Sequence, residues 1–184
     1  MKEALIEITL EQMLQVREER VKIQNEILEK TNSILITFTM NIPGPIKNNK
    51  GIEQSFIYGK RDLIEYMKDY LIKEIQCRKL ASGGEAYLVI DKQFSAKEIK
   101  SKIIEFEETH PIGRWFDIDV KSAPNRNISR AELGIKPRKC FLCNEDAKVC
   151  GRSRRHSIEE LYKFTNEKIQ AYVASQSRNS IKTA

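Results

Sequence analysis

Asp117 and Asp119 stand two residues apart in the string Gly113-Arg114-Trp115-Phe116-Asp117-Ile118-Asp119-Val120. On a strand, residues two apart project to one face. The two carboxylates would then stand side by side, while Phe116, Ile118 and Val120 face a core. Roughly 6–7 Å separates Cα atoms two apart on a strand. That arrangement suits Mg²⁺ shared with a phosphate, and metal-assisted phosphoryl or nucleotidyl transfer uses it to neutralise developing charge. The solvated face of an edge strand explains the same residues. Arg114 has the parity of Phe116 and would reach around from the start of the strand.

Arg152-Ser153-Arg154-Arg155-His156 directly precedes Ser157, where a helix is expected to begin. Unpaired N–H groups and the positive dipole end make a helix start a natural place for phosphate. Three arginines ahead of it describe a triphosphate or pyrophosphate cradle, with a solvated basic loop as the plainer alternative. His156 is a proton carrier or a structural residue on this reading. A third pattern shares it. Cys140-x2-Cys143-x6-Cys150-x5-His156 offers four soft ligands, a chemically reasonable Cys₃His zinc site, although reduced cysteines also pack as small hydrophobes. Finally, Asn41-Ile42-Pro43-Gly44-Pro45-Ile46-Lys47 leaves a strand end through a turn. Gly44 there permits close backbone approach, and Lys47 could meet a phosphate. Arg17 interrupts an apolar helix stripe, either snorkelling or pointing inward near the acidic strand.

These residues need a scaffold, and the periodicity supplies one. A capping box at Thr9 and Gln12 starts a helix near Leu10. Its stripe Leu10, Met13, Leu14, Arg17, Val21, Gln24, Leu28 carries it to about Lys30. Residues 33–42 read as a buried strand. Residues 59–77 read as a helix burying Leu63, Ile64, Met67, Leu71, Ile72 and Ile75. A turn at Ser82-Gly83-Gly84 leads to a strand over 86–91, and Asp91 at its end is the nearest candidate for a third carboxylate. Ser95 and Glu98 open a helix to about Glu108, and residues 114–120 form a third strand. Residues 121–156 are irregular, with one short helix at 129–133. Ser157 and Glu160 start a last helix, to about Ala174, before a polar tail (175–184) expected to fray. The pattern predicts a single α+β domain over 1–184: a small, mostly antiparallel sheet covered by helices.

The chain has 184 residues, 40% hydrophobic and 32% charged, with a mean hydropathy of −0.50. That is too apolar for a disordered chain and too polar for a membrane protein. Residues 1–10 lack the pattern of a signal peptide, so the expected compartment is the cytoplasm, where thiols stay reduced. Residues 121–156 hold ten Lys/Arg against three acids, a charge of +7, whereas the whole chain carries only +6. So concentrated a field points to a polyanion or an acidic partner.

Three strings carry a resemblance: NIPGPIK at 41–47, GRWFDIDV at 113–120 and ISRAELGIKPRKCFLCNEDAKVCGRSRRH at 128–156. In these the chain resembles the holo-citrate lyase synthases, the apo-citrate lyase phosphoribosyl-dephospho-CoA transferases (CitX), over nearly its whole length. The resemblance implies a nucleotidyltransferase-like fold and activity. Such an enzyme takes 2′-(5″-triphosphoribosyl)-3′-dephospho-CoA and places its phosphoribosyl-dephospho-CoA part on a serine of the citrate lyase acyl carrier (gamma) subunit, releasing diphosphate. It also implies Mg²⁺ on Asp117 and Asp119, phosphates on Arg152, Arg154 and Arg155, and weaker roles for Arg114 and Lys47. Malonate decarboxylase holo-carrier synthases use a similar aspartate pair.

Two other classes compete. A zinc-stabilised basic nucleic-acid-binding module would explain the cysteines and the charge. It would leave the aspartate strand idle, and Phe141 is the one aromatic in 121–156, too few for a stacking platform. An adaptor would need no aspartate pair. Neither nucleic acid nor membrane is therefore an expected partner.

Overall fold

The computed structural model describes residues 5–182, with side chains through Arg178. It has an α+β architecture built on a five-stranded antiparallel sheet of order β2-β3-β1-β4-β5. The strands are β1 (Ile34–Met40), β2 (Lys73–Leu80), β3 (Gly83–Ile90), β4 (Phe116–Ala123) and β5 (Arg126–Asn127). The helices are α1 (Leu10–Thr31), α2 (Lys50–Tyr66), α3 (Ala96–Thr109), α4 (Ala147–Ser153) and α5 (Ile158–Lys182). Among the described residues, no helix is long and apolar enough to cross a membrane.

β1 is buried on both faces because it runs through the middle of the sheet, which accounts for its unbroken apolar run. Ile34, Ile36 and Phe38 share a core with Leu63 of α2, Ile99 and Ile103 of α3, and Ile169 and Tyr172 of α5. Leu35, on the opposite face, packs with Tyr87, Val89 and with Ile27 and Leu28 of α1. The sheet thus lies between α1 and the group α2, α3, α5. Thr37 of β1 stands opposite Asp119 and Thr39 opposite Asp117, so both aspartates share the α1 face.

The capping boxes at Thr9/Gln12 and Ser157/Glu160 form, whereas Ser95 makes no side-chain cap. Three further expectations are corrected. The helix placed at 59–77 begins earlier, at Lys50, where the Asn49 side chain accepts from the Ile52 N–H. It ends at Tyr66, and a 3₁₀ turn and left-handed Leu71 lead into the edge strand β2. Leu71, Ile72 and Ile75 imitated a helical stripe, but Leu71 is 80% exposed. β2 is mostly exposed and rich in Lys, Arg and Glu, a composition that discourages pairing with another edge. Second, α1 rests on the sheet through its C-terminal half. Gln24, Ile27 and Leu28 are buried, while Leu10 is 76% exposed and Leu14 and Val21 lie open. Third, α5 continues past Ala174 to Lys182, so the polar tail is helical through that point. Residues 1–4, within the segment read for a signal peptide, and 183–184 of the tail lie outside the described residues.

Candidate active site and metal centre

β4 meets β5 only through Lys121 and Ala123, so among the described residues Phe116–Asp119 present an edge that no strand covers. Side chains cap it instead. Arg138 donates to the Phe116 carbonyl at 2.9 Å, and the buried Lys100 Nζ donates to the Ile118 carbonyl at 2.7 Å. The Ile118 N–H donates to Glu107 Oε1 at 3.3 Å. Glu107 also binds Arg130 at 2.7 Å and Arg138 at 2.5 Å, and its side chain is only 2% exposed. A cleft of about 1080 Å³ opens along this edge, lined among others by Asp117, Asp119, Arg114, Arg130, Arg138 and Arg154.

The strand start differs from expectation. Gly113–Trp115 form a 3₁₀ turn and β4 begins at Phe116, so Arg114 is not a strand residue. The turn places its guanidinium on the Lys139 carbonyl and over the Phe141 ring, 4.6 Å from the centroid. Phe141 in turn stacks on Trp115 at 5.3 Å. The segment's one aromatic is thus already engaged by Arg114 and Trp115.

Asp117 and Asp119 both line the cleft, their backbone fixed between β1 and the capped edge. The Thr39 hydroxyl donates to the Asp117 carbonyl at 3.0 Å, and Asn127 donates to Asp119 Oδ1 at 3.2 Å. The Asp117 side chain is 53% exposed, with Arg138 at 3.9 Å. The surrounding protein and the Asp119 charge push its carboxyl above the usual range, against the opposing pull of Arg138. Asp91 is no third ligand. It follows Ile90, which pairs with Ile34 at the start of β1, whereas Asp117 pairs with Thr39 at its other end. Glu85 shares the face but is held by Arg20 at 2.7 Å, Arg78 at 3.4 Å and the Tyr87 hydroxyl at 2.7 Å.

Residues 139–156 fold around a second centre. An isolated bridge between Lys139 and Asp146 closes the loop, and the Asp146 carboxylate caps α4, which carries Cys150. Ligand atoms of Cys140, Cys143, Cys150 and His156 all lie within 4.8 Å of one another. Cys150 Sγ is 3.4 Å from Cys140 Sγ and 3.9 Å from Cys143 Sγ. Tetrahedral zinc with bonds of about 2.3 Å sets its sulfurs roughly 3.8 Å apart. His156 Nε2 is buried with no hydrogen-bond partner, the orphan expected of a metal ligand. Burial opposes a Cys140 thiolate, but the Leu142 and Cys143 N–H groups and the neighbouring thiols hold its pKa down. This Cys₃His cluster could hold a metal such as zinc.

The structure therefore distributes the predicted residues. Arg114 and Arg154 reach the cleft with the aspartates, and His156 joins both its lining and the cysteine cluster. Arg152 sits on α4 and Arg155 follows its end; both are exposed and outside the lining, Arg155 being 3.9 Å from Glu145. Lys47 donates to the Ile42 carbonyl at 2.7 Å, and burial and the charge of Arg17 lower its pKa. Arg17 is exposed rather than inward; the α1 arginine whose charge reaches Asp117, beside that of Arg138, is Arg20. Sequence reasoning missed Glu107, Lys100 and Arg138 because an acid and a lysine on an amphipathic helix read as solvated. For Lys100 and Glu107 the one usable signal was position, since each lies three and four residues from the buried pair Ile103 and Ile104.

The family model for apo-citrate lyase phosphoribosyl-dephospho-CoA transferase matches residues 8–172. A probable apo-citrate lyase phosphoribosyl-dephospho-CoA transferase of Vibrio cholerae serotype O1 (strain M66-2) is 34% identical over 169 residues, 91% of this chain and 94% of the relative. One from Streptococcus pyogenes serotype M5 (strain Manfredo) is 37% identical over 177 residues, 94% of this chain and 91% of the relative. With its aspartate strand and cationic cleft inside the matched span, the chain belongs to the apo-citrate lyase phosphoribosyl-dephospho-CoA transferase family.

Proposed function

We propose that this protein is a nucleotidyltransferase that attaches the phosphoribosyl-dephospho-CoA group to a serine of the apo-citrate lyase acyl carrier subunit. Its donor is 2′-(5″-triphosphoribosyl)-3′-dephospho-CoA. The observation that carries this reading, in a chain of this family, is the same-face pair Asp117 and Asp119 on the lining of a cationic cleft.

The serine oxygen bonds to the α-phosphorus while the bond from that phosphorus to the diphosphate breaks, and diphosphate leaves. The serine proton passes to a carboxylate of the Asp117/Asp119 pair. Arg114 and Arg154 bind phosphate oxygens. Arg152, Arg155 and the rest of the +7 segment attract an acidic carrier and speed its capture. Two adjacent carboxylates, one of them half-exposed, fit Mg²⁺, which commonly uses one or two carboxylates and completes its shell with substrate phosphates and water. When bound there it would supply neutralisation of phosphate charge. Zinc in the cysteine cluster would be structural, locking Cys140 and His156 beside the cleft. A zinc-stabilised nucleic-acid module is the weaker reading, since Phe141 is already stacked.

The test is intact-protein mass spectrometry of apo carrier subunit incubated with this protein and the triphosphoribosyl precursor, with and without added Mg²⁺. The expected result is a Mg²⁺-dependent mass gain equal to one phosphoribosyl-dephospho-CoA. No gain with competent carrier and precursor would reject the reading. A gain unaffected by Mg²⁺ depletion would keep the activity and remove the metal role of the aspartates.

A further inference from the structure

We propose that Arg114, Arg130 and Arg138 form the polyphosphate subsite of the cleft, with buried Glu107 as the positioning residue that aims two of them. This rests on the transferase reading above and places its triphosphate along the open edge of β4.

The argument begins with Glu107. Its Oε1 forms an ion pair with Arg138 Nη2 at 2.5 Å and accepts from the Ile118 N–H at 3.3 Å, and its Oε2 accepts from Arg130 Nη2 at 2.7 Å. Both oxygens are therefore occupied, and the carboxylate is almost wholly out of water. One carboxylate fixes two guanidinium groups by charge-assisted bonds, the strongest kind available to side chains. Arg138 is further pinned to the Phe116 carbonyl at 2.9 Å, and Arg130 to Glu108 at 2.9 Å. Each of the two commits two of its five N–H groups to these bonds, which leaves donors for an anion.

The charge is not balanced by these contacts. Arg114 bonds a neutral carbonyl and stacks on a ring, and Lys100 also bonds a carbonyl. Among the residues lining the cleft, six cations (Lys100, Arg114, Arg130, Arg138, Lys148 and Arg154) face four acids (Asp117, Asp119, Asp146 and Glu159). Burial and the charges of Arg138 and Arg130 lower the pKa of the Arg114 guanidinium, as expected where cations crowd. A multiply charged phosphate chain would relieve that crowding, and planar forks suit its oxygens better than ammonium groups do. The subsite also lies next to Asp117, where the α-phosphorus must sit.

The test is isothermal titration of inorganic triphosphate, and separately diphosphate, into the full-length protein without Mg²⁺ at fixed salt. Wild type is expected to bind. Arg114→Gln and Arg138→Gln should each weaken triphosphate binding about tenfold or more, the loss expected for one charge-assisted bond, while Arg152→Gln and Arg155→Gln bind as wild type. Arg138→Gln leaves Glu107 with one partner and could unfold the edge. Arg114→Gln disturbs no carboxylate and keeps the test decisive. Absence of wild-type binding, or unchanged affinity in Arg114→Gln and Arg138→Gln, overturns the proposal. So does an equal loss in Arg152→Gln. If the arginines bind triphosphate but carrier is never modified, the transferase reading fails and the subsite stands. If carrier is modified with kcat and KM untouched in both cleft variants, the subsite fails and the transferase stands.

Discussion

Glu107 on α3 bonds Arg138, from the loop after β5, at 2.5 Å across the strand edge that carries Asp117 and Asp119. The same carboxylate holds Arg130 and the Ile118 N–H. Three separate pieces of chain, α3, β4 and the basic segment, are thus joined through one buried acid. Removing it strands two largely buried guanidinium groups against each other. Breaking a buried ion pair from one side typically costs about 3–5 kcal/mol. Glu107→Ala should lower stability by about 3 kcal/mol or more in urea titration, and a loss under about 1 kcal/mol would show that the edge is not held this way.

Asp117→Asn should separate activity from stability. Loss of one carboxylate of the proposed metal pair should reduce transfer at least about a hundredfold. Stability should move the other way. A carboxyl whose folded pKa is raised binds protons more readily when folded, so stability falls as pH rises through that value. At pH 7 the ionised Asp117 is therefore a cost that Asn removes. The Tm of Asp117→Asn should exceed that of wild type at pH 7, and the gap should close as pH falls towards the ordinary carboxylate range, about 4. A variant less stable than wild type at pH 7 would contradict the sign.

Gly113 has no room for a side chain. A Cβ there would meet the backbone carbonyl oxygen of Glu107, with its C and Cα 2.8 and 2.9 Å away. Backbone cannot swing aside as a side-chain tip can, so Gly113→Ala must part the 3₁₀ turn from α3. Overpacking of this kind costs about 1–3 kcal/mol, which at this chain length lowers Tm by about 2–4 °C for each kcal/mol. The shift would also move Arg114 relative to Glu107. Calorimetry together with triphosphate affinity should therefore fall in the same variant, and an unchanged Tm would deny the contact.

The aspartate pair was legible because a strand's period of two is strict, and β4 keeps Phe116, Ile118 and Val120 inward as read. The clustering of the cysteines was legible because most of their spacing is local. Glu107 and Arg138 were not, since what joins them is the meeting of α3 with a loop that has no periodicity. β2 was lost to a different cause. Leu71, Ile72 and Ile75 fall at helical spacing, and no local rule outweighed them until β3 supplied a partner for the edge. The aspirant phosphate residues Arg152 and Arg155 illustrate the remaining gap. Their place in the sequence before α5 was right, but α4 turns them outward.

Metal in the cysteine cluster should be directly measurable. Protein purified without chelator should carry about one zinc per chain, and cobalt substituted for it should give the visible absorption of a tetrahedral thiolate site. His156→Ala should weaken metal affinity while keeping the three thiolates, and Cys150→Ser should also lower Tm, because ligand binding is linked to folding here. Zinc-free protein that melts at the same temperature with and without added zinc would leave the thiols as packing groups only.

His110 should make the fold acid-sensitive in a window well above the carboxylates. Its side chain is 7% exposed and 3.2 Å from Asp62 Oδ2, with its ring against Phe106 and Phe116. The Tyr172 hydroxyl donates to the same Asp62 oxygen at 2.8 Å, and Arg61 binds the other at 2.7 Å, so α2, α5 and the end of α3 meet at this point. Burial lowers the His110 pKa, and Asp62 only partly restores it. A base depressed on folding is protonated more readily when unfolded. Stability is then lost as pH falls below the unfolded histidine value of about 6.5. Asp62 cannot mimic this. Burial raises its pKa, but the bonds from Arg61, Tyr172 and His110 outweigh that and leave it lowered, so its own loss begins only below the ordinary carboxylate range. Between pH 7.5 and 5.5, therefore, wild type should lose more Tm than His110→Asn, whatever the variant's starting stability. Parallel melting curves across that window would mean that His110 accepts its proton without cost, and that the helix junction is held by Tyr172 and Arg61 alone.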